Sequence, residues 1–91
     1  MSTLHMEVET ARGAQSSMTN THQQLTSLMQ SMNSQVTGLQ PVWQGNSASE
    51  FFGLYDQWKS ATNAKLEELN NMATRLQTEI SEWEQMASKL A

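Results

Sequence analysis

Two histidines and a few acids are the side chains that could do chemistry in this 91-residue chain. His5 and His22 are seventeen residues apart, about 25 Å along a helix, and no acid lies near His22. Glu67 and Glu68 are adjacent acids, and we expect them to lie on a solvated surface of a helix and not in a cleft. The sequence has no cysteine, nucleophile elbow, phosphate-binding loop, glycine-rich dinucleotide turn or HExxH pair. We therefore predict a protein that is not an enzyme and that uses no cofactor or metal.

Charge and hydropathy narrow the class of partner. Charged residues make up only 15% of the chain and the net charge is −4, so no basic patch marks a nucleic-acid or anionic-lipid site. The longest apolar cluster, residues 51–55, is interrupted by Gly53 and is too short to cross a bilayer. No N-terminal stretch has a basic region followed by an apolar one, so we predict no secretory signal peptide. We expect a protein partner, with no nucleic acid and no membrane.

The first half of the chain has the periodicity of an amphipathic helix. Every seventh residue from Leu4 is apolar, and a second series begins four residues later at Val8. This alternating spacing is typical of helices that pack like a coiled coil. Pro41 lacks an amide donor and disfavours helix in the residue before it. We predict helix 1 over about residues 5–39.

The second half begins with a different signal. Ser47-Ala48-Ser49-Glu50 matches a capping box, in which the Ser47 hydroxyl and the Glu50 carboxylate satisfy free amides. Asn46 is an alternative cap. Apolar residues then recur at helical spacing to the end of the chain. We predict a turn over about 40–46, helix 2 over about 47–89, and a single helical hairpin spanning 1–91.

Two helices alone cover only part of their apolar stripes, so the chain needs a partner. An all-α antiparallel hairpin that dimerises into a four-helix bundle satisfies both stripes. A two-fold homodimer is the commonest closed arrangement, and a heterodimer with a similar hairpin is the alternative. The residues predicted for the core or dimer interface are Leu4, Val8, Ala11, Met18, Leu25, Met29, Met32, Val36, Phe51, Tyr55, Trp58, Leu66, Leu69, Leu76, Ile80 and Trp83.

The turn between the helices carries a motif. Trp43-Gln44-Gly45 lies between two long periodic segments in a chain of about one hundred residues. This arrangement resembles the WXG-hundred family, the early secreted antigenic target-like small helical hairpins of type VII (ESX or Ess) secretion. The resemblance implies export without a signal peptide to the extracellular space, with a cytoplasmic pool beforehand. It also implies dimerisation and a secretion-system ATPase as a transient partner. Trp43 and Gly45 are the residues that carry the motif.

The chain departs from that family at the C-terminal export signal, Y-x-x-x-D/E. Its only tyrosine, Tyr55, is followed four residues later by Lys59, and Phe52 with Asp56 has the spacing only near the start of helix 2. Three explanations are open: a partner chain supplies the signal, the W-x-G end is sufficient for export, or this protein is not itself the recognised substrate. The alternative function is a cytoplasmic adaptor, or a chaperone-like half of a heterodimer with a larger helical partner.

Trp43 itself has two interpretations that do not exclude each other. A large aromatic ring at the end of a helical bundle can close that end, with its indole N–H on a polar partner. An aromatic ring that stays accessible there can also dock on the secretion machinery. Gly45 fits a turn position that needs a positive φ angle or has no room for a side chain.

Overall fold

The computed structural model describes residues 5–90, which form two α-helices and the turn between them. Helix α1 runs over Val8–Thr37 and helix α2 over Asn46–Leu90, with 30 and 45 residues. They pack side by side in opposite directions, so the prediction of an all-α antiparallel hairpin is confirmed. Leu4, which was predicted for the core or interface, lies outside the described residues.

Helix α1 is shorter than predicted at both ends. Its first residue is Val8 because Glu7 has an extended backbone, with φ −83° and ψ 101°, and makes no side-chain cap. After Thr37 the chain tightens into turns in which the Leu39 amide donates to the Val36 carbonyl at 3.0 Å. The Gln40 amide donates to the Thr37 carbonyl at 3.1 Å. Bonds of this shorter reach end an α-helix, and Pro41 then adds no amide donor.

Helix α2 starts from Gly45, which has a φ of 115°. The Gly45 carbonyl accepts the first helical hydrogen bond, from the Ser49 amide at 3.0 Å. The helix therefore begins at Asn46, and Ser47 lies inside its first turn. This differs from the predicted start at a Ser47 or Asn46 cap. A glycine reaches a left-handed backbone at little cost and can reverse the chain one residue earlier than a serine cap would.

A pair of glycine substitutions tests this account of the turn. We expect Gly45→Ala to lower the free energy of unfolding by about 1–3 kcal/mol, because its positive φ strains any L side chain. We expect Gly53→Ala, inside α2, to raise it by about 0.5–1 kcal/mol. A Cβ at either position meets no atom within 4 Å, so crowding does not separate the two. Chemical denaturation measures both; equal effects of the two substitutions would contradict the backbone explanation.

The core of the hairpin is thin. Among the described residues the buried apolar side chains are Ala48, Leu66, Ala73 and Ile80, all in α2. No residue between Val8 and Thr37, all of which are described, is buried. The hairpin is a rod of 69 × 20 × 15 Å, and two helices touching along one line cannot enclose both apolar stripes. The hairpin therefore leaves much of its apolar surface exposed.

Candidate interaction surfaces

Three aromatic rings meet at the turn and form what we call the aromatic end: Trp43, Phe51 and Phe52. The Trp43 ring centroid lies 5.4 Å from that of Phe51 and 5.8 Å from that of Phe52. The two phenylalanine rings are 5.6 Å apart in an edge-on arrangement. Trp43 nevertheless keeps 37% of its surface exposed. The ring therefore packs against the start of α2 and presents an accessible surface at the same time.

One side of the rod is polar. It carries residues at seven-residue spacing in each helix, and we call it the polar face. Its α1 members are Arg12, Thr19, Thr26 and Asn33, and its α2 members are Asp56, Asn63, Asn70, Gln77 and Glu84. Thr26, Asn33 and Asn63 line one hollow between the helices, and Arg12 forms an ion pair with Glu84.

A small hydrogen-bond cluster joins the helices beside the polar face. The Tyr55 hydroxyl donates to Asn33 Oδ1 at 3.1 Å, and Lys59 Nζ donates to the same oxygen at 3.3 Å. Lys59 Nζ also lies 5.8 Å from the centroid of the Tyr55 ring, within cation–π range. Because one amide oxygen accepts from two α2 side chains, Asn33 fixes how α1 is aligned along α2.

The opposite side is apolar, and we call it the apolar face. Leu25, Leu28 and Met32 of α1 line a groove there with Trp58 of α2. Their exposure is large for such residues, 40% for Leu25, 65% for Leu28 and 47% for Trp58. Further along α2 the same side carries the exposed Met72 and Met86, at intervals of fourteen residues from Trp58. The members of the apolar face are Leu25, Leu28, Met32, Phe51, Trp58, Met72 and Met86.

The predicted core and interface residues divide into three groups. Leu66 and Ile80 are buried within the hairpin. The half-buried residues are Val8, Ala11, Met18, Met29, Met32, Val36, Tyr55, Leu69, Leu76 and Trp83. Leu25, Phe51 and Trp58 are exposed.

Several surface residues were missed by the sequence reasoning. Leu28 falls outside both seven-residue series of α1, and Met72 and Met86 fall outside the main apolar series of α2. The signal for the two methionines was present in the sequence, since they follow Trp58 at intervals of fourteen residues. Lys65 and Glu79 occupy the intervening positions and hid the repeat.

The residues that could do chemistry do not converge. His5 lies edge-on to Trp83, with ring centroids 6.5 Å apart, whereas His22 is half-buried in the middle of α1. Within residues 5–90 no three side chains of metal-ligating type come together. No helix in this described part of the chain is long and apolar enough to cross a bilayer.

This two-helix rod, with a thin core, one polar and one apolar face and an aromatic end, is a small helical hairpin. A scan against family models matches residues 3–86 to WXG100, described as proteins of 100 residues with WXG. The chain therefore belongs to the WXG100 family, a family of non-enzymatic proteins associated with type VII secretion. Searches of curated proteins and of solved structures each found no match.

Proposed function

We propose that this protein is a substrate or secreted component of a type VII secretion system and acts by dimerisation and protein binding. The observation that carries this proposal is the apolar face, whose exposed large side chains lie along one side of a hairpin of this family. An exposed apolar surface of this extent marks a site that a partner covers. On this proposal the protein is folded in the cytoplasm, engages the secretion ATPase transiently and then reaches the extracellular space.

The partner we favour is a second copy of the same chain. One broad side of a rod 69 Å long and 20 Å wide offers more than the about 1,000 Å² per copy that an interface of about 2,000 Å² buries. Two apolar faces packed together make a four-helix bundle with the polar faces outside. Such a dimer would bury the exposed large side chains that the hairpin alone leaves in water.

The second candidate is a heterodimer, with this chain as a chaperone-like or adaptor half beside a similar or larger helical partner. The export signal Y-x-x-x-D/E favours the heterodimer, because a partner chain could supply it. In this sequence Tyr55 is followed four residues later by Lys59, and Phe52 with Asp56 has the spacing without a tyrosine. Light scattering after size exclusion, with circular dichroism on the same peak, separates the two. A helical species of twice the 10.2 kDa chain mass supports the homodimer. A poorly helical monomer refutes it and favours the heterodimer.

The aromatic end gives a prediction about export. We expect Trp43→Ala to abolish secretion while lowering stability by only about 1–2 kcal/mol, because the ring is already partly exposed. The measurement compares the culture supernatant and cell pellet of strains with and without the secretion ATPase. Val42→Ala, at a neighbouring residue that is 77% exposed, is the matched control and should leave export unchanged.

A second variant separates docking from packing. Phe51→Ala removes a ring that packs on Trp43 but leaves the indole in place, and we expect a similar loss of stability with secretion retained. Secretion of Trp43→Ala at the wild-type level would contradict a docking role. Loss of secretion in both variants would assign Trp43 to closing the hairpin end alone.

A further inference from the structure

Two charged residues lie between the α2 members of the apolar face. At seven-residue spacing from Phe51, the helix presents Phe51, Trp58, Lys65, Met72, Glu79 and Met86 on one side. Trp58 lines the groove with Leu25, and Glu79 and Met86 line a hollow further along the same side, next to Trp83. A lysine and a glutamate within an otherwise apolar stripe favour a partner that places an opposite charge beside each of them.

The order of these residues is symmetric about Met72. Lys65 precedes it by seven residues and Glu79 follows by seven, whereas Trp58 and Met86 lie fourteen residues away on either side. When two copies of a helix pack antiparallel around a two-fold axis, residues equally distant from the axis face each other. An axis beside Met72 would thus set Lys65 of each copy opposite Glu79 of the other and Trp58 opposite Met86.

We infer that a second copy of this chain docks on the apolar face with the turns at opposite ends and the two-fold axis at Met72. This inference rests on the proposed homodimer and specifies its orientation and register. Each dimer then contains two intermolecular Lys65–Glu79 pairs, one on each side of a methionine contact. The charges favour this alignment, because a shift along the bundle leaves each of them without an oppositely charged residue of the other copy.

Helix α1 fits the same axis. The Asn33–Tyr55 hydrogen bond and the Arg12–Glu84 ion pair fix the alignment of the two helices, and between them Met18 lies at about the level of Met72. An axis crossing α1 at Met18 sets the small Ala11 of one copy against the large Leu25 of the other. Small and large side chains facing each other is the arrangement that fills a bundle core.

Both charges are accessible to a partner. Lys65 Nζ lies 3.2 Å from Glu68, and Arg75 lies 3.1 Å from Glu79, within the same helix. The Lys65 side chain is 77% exposed and that of Glu79 is 40% exposed, and exposed pairs of this spacing contribute only a few tenths of a kcal/mol. In the alternative orientation the two turns lie at the same end of the dimer, and Lys65 faces the middle of α1 of the other copy. The charged residues of α1 are Glu9 and Arg12, both near its start, so Lys65 would find no acidic residue there.

Charge reversal tests the register. Lys65→Glu and Glu79→Lys, each alone, convert both intermolecular pairs to repulsion, and we expect each homodimer to bind about tenfold more weakly. Mixed and refolded together, the two variants restore opposite charges at both positions in the heterodimer. Random mixing would make half of all dimers heterodimers. We expect the heterodimer fraction, measured by native mass spectrometry, to be about nine-tenths.

A matched pair of variants controls for net charge. Lys89→Glu and Glu67→Lys change the charge by the same amounts at exposed positions of α2 outside the apolar face, and they should mix close to statistically. A dimer whose Lys65→Glu and Glu79→Lys variants mix no better than this control would overturn the proposed register and leave the homodimer intact. Wild-type protein that stays monomeric at all concentrations would remove the homodimer and the register together.

Cross-linking gives an independent readout. The chain has no cysteine, so Met72→Cys introduces a single thiol, which at a two-fold axis faces its own copy. We expect mild oxidation to link most of the Met72→Cys dimer. Asn70→Cys on the polar face is the matched control and should remain unlinked. Equal linking of the two variants would contradict an axis at Met72.

Discussion

Leu28→Glu is expected to weaken the homodimer by about a hundredfold or more, close to 3 kcal/mol, because it buries a carboxylate without a partner. Leu28 is 65% exposed in the hairpin, so the substitution removes little packing within one chain. Its effect arises only where a second copy covers the apolar face. Sedimentation equilibrium across a range of protein concentrations measures the dissociation constant.

Gln30→Glu is the matched control for this substitution. Gln30 lies two residues away in the same helix and lines the polar hollow with Asn33 and Lys59, on the opposite side of the rod. It gains the same charge but should leave the dissociation constant within about twofold, as expected for a surface substitution. An unchanged dimer in Leu28→Glu would place the self-interface elsewhere and leave the apolar face to a different partner.

Ile80→Ala is expected to lower the free energy of unfolding by about 2–4 kcal/mol, the usual cost of deleting a buried aliphatic side chain. Ile80 is 2% exposed and is one of the buried apolar side chains of the described hairpin. Because the core is so thin, few neighbours can move in to fill the cavity. Thermal and chemical denaturation at one fixed protein concentration measure the change, since the stability of a dimer depends on concentration.

Leu54→Ala supplies the comparison for the core prediction. Leu54 is in the same helix and loses a side chain of the same volume, but it is 67% exposed. We expect its effect to stay within about 0.5 kcal/mol. If both substitutions cost the same, stability would not be concentrated in the contact between the helices, and the burial of Ile80 would carry no special weight.

The two predictions depend on different parts of one energetic argument. Ile80 tests what holds the two helices together, and Leu28 tests what holds two hairpins together. In the proposed homodimer, a chain that buries so few side chains by itself gains further stability from association. We therefore expect both the single-chain core and the intermolecular face to contribute to the stability of the folded state.

The sequence predicted the hairpin because long-range spacing and chain breakers are readable without coordinates. Seven-residue periodicity over α1, Pro41 in the turn and the Trp43-Gln44-Gly45 motif together identified two helices, their antiparallel packing and the family. The helix ends were less accurate. The start of α2 depends on the backbone of Gly45, and a positive φ leaves no mark in the residue pattern beyond the presence of a glycine.

The assignment of each apolar residue to one partner or another required the tertiary structure. Periodicity gives one broad stripe per helix, and it cannot say which edge of the stripe the other helix covers. The Asn33–Tyr55 hydrogen bond and the groove beside Trp58 show how the two helices are turned toward each other. With that orientation known, the polar face and the apolar face can be told apart. The sequence by itself determined that this chain is a WXG hairpin with more apolar surface than one hairpin covers. The packing of α1 on α2 decided which side of the rod keeps that surface exposed, because burial is a property of two surfaces together.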